Sequence, residues 1–217
     1  MSISDLGQPY DNAPRIDVHD AEPCPVEQFH KWFKEAVQAD IKEPNAMTLA
    51  TVDTDGRPDA RIVLLKDVDD RGFTFYTNYD SAKADQMAGH ADVALVFYWD
   101  VLFRQVRIRG TVTKVDRDEA QQYWSTRPRG SQLGAIASHQ SATLTSRIEL
   151  EEAYGKVAEQ YAQAQVIPLP DGWGGYRVAH ESIEFWQGQP SRLHDRLAYT
   201  QRDDSGWKIT RLSPSRI

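Results

Sequence analysis

The sequence predicts an α+β chain, mainly β, organised around an antiparallel sheet closed as a barrel. Three observations carry that expectation. Short apolar runs follow one another with tight turns between them. Helical patterns are few and irregularly placed, unlike the alternation of a doubly wound fold. No G-x-G-x-x-G follows a strand and no G-x-x-x-x-G-K-[ST] occurs, so the usual dinucleotide and nucleotide loops are missing. With 217 residues the chain can bury a real core.

Residues 1–24 are rich in Pro, Asp and Asn without periodicity, which predicts a mobile or loosely draped arm ahead of one domain over 25–217. Val26, Phe29, Phe33, Ala36 and Val37 recur at helical spacing behind Pro25, predicting a helix to about Ala39. A strand-rich block follows: A-M-T-L-A-T-V, the turn D-T-D-G-R-P, A-R-I-V-L-L-K, the turn D-V-D-D-R-G, and F-T-F-Y-T-N. S-A-K-A-D-Q-M-A-G reads as a short helix capped by Asp80 or Ser81. Two more strands are D-V-A-L-V-F-Y-W and L-F-R-Q-V-R-I-R-G-T-V-T-K-V. Asp116 with Glu119 and Ser146 with Glu149 have capping-box spacing, for one helix ended by Pro128 and another running to about Gln165. Y-R-V-A-H, S-I-E-F-W-Q, R-L-A-Y-T-Q and G-W-K-I-T-R-L are read as four further strands, with D-D-S-G a hairpin turn.

The net charge of −7 argues against a nucleic-acid partner held by bulk electrostatics. Cys24 is the one cysteine, so neither an intrachain disulfide nor a cysteine-based zinc site is available. No apolar run is long enough to span a membrane, and the N-terminus lacks a basic-then-apolar signal pattern, so the expected location is the cytoplasm.

Cations recur where elements begin or end. Arg61 and Lys66 bracket I-V-L-L, five positions apart; they are either solvent-facing strand ends or meet one ligand at a bulge or strand end. Thr77, Ser81 and Lys83 open a helix, whose free N–H groups suit phosphate as well as simple capping. Tyr123 and Arg127 share a helix face with Ser131 just beyond; they read first as a core tyrosine and a surface arginine, and otherwise as holders of a second phosphate. Gln105, Gln140 and Ser141 are neutral donors suited to a heteroaromatic ring, with Trp186 or Phe185 packing beside a ring or in the core. Arg192, His194 and Arg196 alternate in S-R-L-H-D-R, so an extended stretch would put all three on one face. Mutual repulsion makes that group a better anion site than a metal site.

Together these motifs resemble the pyridoxamine 5′-phosphate oxidase family. The resemblance runs from about Pro44 to Pro214 on R-I-V-L-L-K, F-Y-T-N, R-Q-V, Y-W-S-T-R-P-R-G-S-Q-L-G-A, S-H-Q-S, W-G-G-Y-R-V, E-F-W-Q-G and R-L-H-D-R, in that order. It implies a Greek-key, FMN-binding split barrel that forms a homodimer with two FMN molecules between the subunits. It implies oxidation of pyridoxamine or pyridoxine 5′-phosphate to pyridoxal 5′-phosphate, with dioxygen reoxidising the flavin to give hydrogen peroxide. It assigns FMN contacts to Arg61, Ile62, Val63, Leu64, Leu65, Lys66, Tyr76, Thr77, Lys83, Gln105, Gln140, Ser141, Trp186 and Arg196. Lys66, Tyr123, Arg127 and Ser131 would hold the substrate phosphate, and Arg192 and His194 would lie over its ring as catalytic residues. Many members carry arginine where this chain has Ala82, and a basic, tyrosine-containing N-terminal segment that closes over substrate; residues 1–24 offer Tyr10 and Arg15 without that pattern. Two other readings share the barrel: a flavoenzyme for another substrate, such as a phenazine precursor, and a non-catalytic flavin-binding protein.

Overall fold

The computed structural model describes residues 2–3, 10–11, 13–203 and 206–214. One antiparallel sheet contains β1 (Ala46–Val52), β2 (Pro58–Leu64), β3 (Asp67–Asp69), β4 (Gly72–Asn78), β5 (Asp92–Trp99), β6 (Arg104–Lys114), β7 (Trp173–Gln187), β8 (Asp195–Gln201) and β9 (Trp207–Arg211). Its order is β2-β1-β5-β6-β7-β4-β3, and β8 also pairs with β7 and carries β9. The sheet curls until β2 returns against β4, and the Lys66 N–H donates to the Thr74 carbonyl at 2.8 Å just beyond β2. This is the expected split barrel.

Alternation explains which way each strand faces. β1 turns Met47, Leu49 and Thr51 inward, and β5 turns Val93, Leu95, Phe97 and Trp99 inward. Helix α1 (Pro25–Gln38), started by Pro25, fills the barrel with Phe29, whose ring lies 5.0 Å from Phe73 and 5.1 Å from Phe97. A second apolar cluster lies outside the barrel, where α3 (Arg117–Thr126) and α4 (Arg129–Ala137) meet the segment leading to β7. It contains Trp124, Leu133, Ile167 and Trp173.

Several elements differ from expectation. Y-R-V-A-H and S-I-E-F-W-Q form one strand, because β7 runs through a bulge: Arg109 pairs with Ser182 and Gly110 with His180, leaving Glu181 over. Lack of a side chain at Gly110 permits this approach, since a Cβ there would sit 1.9 Å from the Ala179 carbonyl oxygen. Gly110→Ala is therefore expected to destabilise by about 1–3 kcal/mol, read as a lower midpoint in urea with unchanged slope. Helix α4 was not expected; R-G-S-Q-L-G-A-I-A carries two glycines, which weaken a local pattern, and packing of Leu133 and Ala137 decides it. Asp116 is the N-cap of α3 but makes no side-chain capping bond, and the Glu119 carboxylate is engaged by Arg177 and Arg71 instead of reaching back to it. Helix α5 (Arg147–Gln160) does begin with Ser146 accepting from the Glu149 N–H, and it ends before Gln165. D-V-D-D-R-G is not all turn, since Asp67–Asp69 pairs with β4 as β3. In D-D-S-G, Asp204 and Ser205 lie outside the described residues; Arg202 N–H still reaches the Gly206 carbonyl at 2.9 Å.

The described part of the arm lies on the barrel. Ile16 N–H donates to Asp195, Arg211 holds the Ile16 carbonyl and Asp17, and Gln189 Nε2 donates to the Pro14 carbonyl at 2.8 Å. No helix among the described residues is long and apolar enough to cross a membrane.

Candidate functional site

The sheet gathers the expected residues into three groups. The first stands at the start of α2 (Ala82–Gly89), directly after β4. Lys83 is 8% exposed, and its Nζ donates to Gln140 Oε1 at 2.8 Å, Ser81 Oγ at 3.1 Å and Thr77 Oγ1 at 3.3 Å. All three acceptors are neutral. Burial first, then the neighbouring Arg61 charge, push the Lys83 ammonium below its usual pKa. Ser81 is the N-cap by position, yet its hydroxyl donates back to the Asn78 carbonyl at 2.8 Å instead of capping. Ser141, at φ +74°, accepts the Ala82 N–H at 3.2 Å.

Arg61 joins this group from β2. Its guanidinium spans the Leu49 carbonyl, Thr51 Oγ1, Asp59 and Gln86 Oε1. Asp59 is its one carboxylate partner and is mostly solvated, so two cations stand here with little compensation. Of the segment after Arg61, Ile62 is 64% exposed, Val63 and Leu64 are half-buried and Leu65 is core. β2 ends at Leu64, and Arg61 and Lys66 do not meet: Lys66 stands with the second group.

The second group lies along the neighbouring face. Tyr76 stacks on Tyr123 with centroids 4.0 Å apart, and both run nearly parallel to Trp173. Lys66 Nζ stands 5.9 Å from the Tyr123 ring, and the Arg127 guanidinium lies over Trp173 at 4.5 Å. Arg127 donates to the Ser131 carbonyl at 3.0 Å, and burial lowers its pKa. The Ser131 side chain itself is not shown bonded to the arginine. Burial also pushes the Tyr76 hydroxyl up to about 12. An open cavity of about 730 Å³ unites Lys66, Tyr76 and Tyr123, rimmed by Arg71, Arg117 and Glu119; Arg127 and Ser131 do not line it.

The third group occupies the far end of β7. Gln105 pairs across the sheet with Trp186, and Trp186 with Arg196. His194 lies 4.7 Å from Trp186 and 5.4 Å from the ring of Tyr10. Phe185, by contrast, is core at 1% exposed. The expected one-faced row of Arg192, His194 and Arg196 does not form. β8 begins only at Asp195, and Arg192 sits in a tight turn with φ +60°. Arg196 instead forms a forked pair with Glu184, at 2.8 and 3.0 Å, and donates to the Ser213 carbonyl. The anion that makes Arg196 tolerable within this chain is thus Glu184, which Arg107 also reaches at 3.4 Å.

Gly174, which pairs with Thr77 of the first group, and Trp186 of the third lie on the same strand, about 40 Å apart along an extended backbone at ~3.3 Å per residue. Sequence reasoning assigned no site role to Tyr10, Gln86, Trp173 or Gln189, whose N–H donates to His194 Nδ1 at 3.1 Å. Gln86 is three positions after Lys83 and so shares its helix face, a signal that was available. Contacts of Tyr10 and Gln189 join distant parts of the chain, and no local pattern marks them.

Residues 33–161 match the family profile described as "Pyridoxamine 5'-phosphate oxidase", and residues 173–214 match "Pyridoxine 5'-phosphate oxidase C-terminal dimerisation region". A pyridoxine/pyridoxamine 5′-phosphate oxidase of Burkholderia cenocepacia is 54% identical over 216 residues, covering 98% of this chain and 99% of the relative. Oxidase 1 of Ralstonia nicotianae is 51% identical over 213 residues, with the same coverage. Among solved structures, PhzG from Burkholderia lata 383, in complex with tetrahydrophenazine-1-carboxylic acid, superposes with TM-score 0.86 at 30% identity, covering 94% of this chain and 98% of that one. An FMN-binding protein of Nostoc punctiforme shares the fold, with TM-score 0.71 at 18% identity over 86% of this chain and 97% of that one. The dimerisation match makes this a dimeric, small-molecule-binding protein. Profiles spanning most of the sequence and relatives identical at half of its positions place the chain in the pyridoxine/pyridoxamine 5′-phosphate oxidase family.

Proposed function

We propose that the protein catalyses FMN-dependent oxidation of pyridoxamine 5′-phosphate and pyridoxine 5′-phosphate to pyridoxal 5′-phosphate, with dioxygen as acceptor and hydrogen peroxide as product. The observation that carries it is Lys83: a buried ammonium among three neutral oxygens, with Arg61 alongside, at a helix N-terminus. A buried charge without a counter-ion is costly, and a phosphate supplies the missing one. These residues therefore fit the phosphate of FMN, with Thr77, Gln140 and Ser141 completing the polar wall. Gln105 and Trp186 offer a donor and a flat face to the flavin ring. When bound, FMN supplies the acceptor for the hydride from C4′ and passes the electrons to dioxygen.

The chain's own residues orient and exclude. Lys66, Tyr123 and Arg127, with Ser131 beside them, bind the substrate phosphate and so fix C4′ at a set distance. Arg192 and His194 close over the pyridine ring. Because the first and third groups stand far apart within one chain, the site takes one group from each subunit, and FMN lies between them as part of the homodimer. Arg196, freed from Glu184 or shared with it, faces the flavin in that arrangement. Residues 25–217 act as one split-barrel domain with residues 1–24 as its arm, and a cytoplasmic location goes with this reading.

The likeness to PhzG supports a second reading, oxidation of a phenazine precursor. The buried Lys83 among neutral oxygens, with Lys66 and Arg127 around the Tyr123–Trp173 stack, favours the phosphorylated pyridine. Anaerobic mixing of the FMN-loaded protein with pyridoxine 5′-phosphate separates the readings. Bleaching of the flavin, pyridoxal 5′-phosphate in solution and colour restored by air are expected. Flavin that stays yellow with both phosphorylated pyridines, yet bleaches with a phenazine precursor, would select the second reading; yellow with all three would leave a binding protein.

A further inference from the structure

We propose that the turn after β7 holds His194 as the neutral Nε2–H tautomer, making it a hydrogen-bond donor to the substrate rather than a base, with Gln189 as its positioning residue. His194's place over the substrate rests on the function proposed above; its tautomer does not.

The backbone N–H of Gln189 points at His194 Nδ1, 3.1 Å away. An amide nitrogen can only donate, so Nδ1 must present its lone pair and carries no proton. The neutral ring then bears its proton on Nε2. An imidazolium would set N–H against N–H at this contact.

The turn is built to keep that contact. Gln189 is 7% exposed and extended at φ −139°, and its side chain is tied to the arm through Pro14. Gly188 N–H is held by the Phe103 carbonyl at 2.8 Å, and Leu193 N–H by the Pro190 carbonyl at 3.1 Å. Ser191 and Arg192 close the turn at φ +57° and +60°. Two adjacent non-glycine residues in the left-handed region are strained, and such strain collects at functional sites.

The surroundings act in the same direction. Trp186 from β7 and Tyr10 from the arm wall the ring, and neither brings a charge. Arg192 is the charged neighbour that acts on it, and burial followed by Arg192 lowers the imidazole's pKa. Asp195 follows in sequence but is turned away, its oxygens taken by Arg211 and the Ile16 N–H. Glu184 is occupied by Arg196 and Arg107.

The chemical consequence is definite. A neutral amine that loses hydride from C4′ becomes an iminium without losing a proton, but the alcohol's oxygen must lose one to become the aldehyde. His194 has one nitrogen already protonated and the other lone pair engaged, so that proton goes to water. Nε2–H is left to hold a substrate oxygen or nitrogen.

Nitrogen-15 spectra of the imidazoles in the FMN-loaded dimer test this without substrate, with the His194 signals identified by their loss in His194→Gln. The expected result is an Nε2–H pattern that stays neutral below the ordinary histidine pKa of 6.5. An Nδ1–H pattern, or a charged ring at neutral pH, would overturn the proposal. Turnover gives an independent readout. The glutamine variant keeps a donor but no base, so it should retain about tenfold more activity than His194→Ala, the value of one hydrogen bond of ~1.4 kcal/mol. Equal loss in both variants overturns the donor role. Should pyridoxine 5′-phosphate fail to bleach the flavin, the substrate reading falls while the tautomer result stands.

Discussion

Arg192→Ala is expected to lower the rate of flavin reduction by pyridoxine 5′-phosphate on the order of 10²-fold, while the flavin content of the purified protein stays unchanged. Arg192 is exposed, makes no hydrogen bond or ion pair among the described residues, and sits at φ +60° beside a second left-handed residue. A surface cation with no role would relax to an ordinary backbone conformation. Here the chain holds it in a strained turn next to His194, close enough for its charge to act on the imidazole. Removing the guanidinium leaves Lys83 and Arg61 untouched, so retention of FMN should be unaffected. Anaerobic stopped-flow reduction measures the first quantity, and absorbance of the flavin released on denaturation measures the second. Wild-type reduction rates would show that Arg192 has no part in the reaction. Loss of flavin in step with activity would move it to the cofactor side of the site.

Much of this architecture was legible because alternation and turn chemistry are local. β1 and β5 show the period of two, D-T-D-G-R-P closes a hairpin, and Pro25 starts α1. What escaped was set by tertiary contacts. The bulge that joins two predicted strands into β7 depends on Gly110 meeting the Ala179 backbone, residues far apart in sequence. Helix α4 contradicts its glycines and survives by packing on Trp124 and its neighbours. Alternation in S-R-L-H-D-R misled because periodicity describes a strand only once the strand has begun, and here it begins after His194. The candidate site follows the same division. Thr77 and Lys83 meet at the start of α2, as the motifs suggested, and Gln140 and Ser141, read from sequence as donors to a ring, join them there. The pairing of Arg196 with Glu184 and the fixing of His194 by Gln189 need three-dimensional proximity that no spacing encodes.

Lys83→Met is expected to act in opposite directions on the empty and the flavin-loaded protein. Methionine matches the length of the lysine stem and removes the charge. In the empty protein that charge is buried among neutral oxygens and beside Arg61, so its removal should leave the thermal midpoint equal or higher. For FMN, deletion of a buried cation facing the phosphate should weaken binding by about 2–5 kcal/mol, roughly 30- to 4,000-fold. Proton linkage gives the same residue a second signature. Between its lowered folded value and the ordinary 10.5, Lys83 holds fewer protons in the folded than in the unfolded chain, so stability of the empty protein rises with pH across that window. Below the window the cost of the charge is present in full. Phosphate beside the ammonium reverses the shift, so FMN binding on the alkaline side should take up a proton. Calorimetry in two buffers of different ionisation heat measures that uptake, and Lys83→Met should abolish the difference between them. Unchanged FMN affinity in the variant would remove Lys83 from the phosphate site. A lower midpoint in the empty variant would mean that the hydrogen bonds to Thr77, Ser81 and Gln140 outweigh the cost of the charge, and that the lysine is there for the fold.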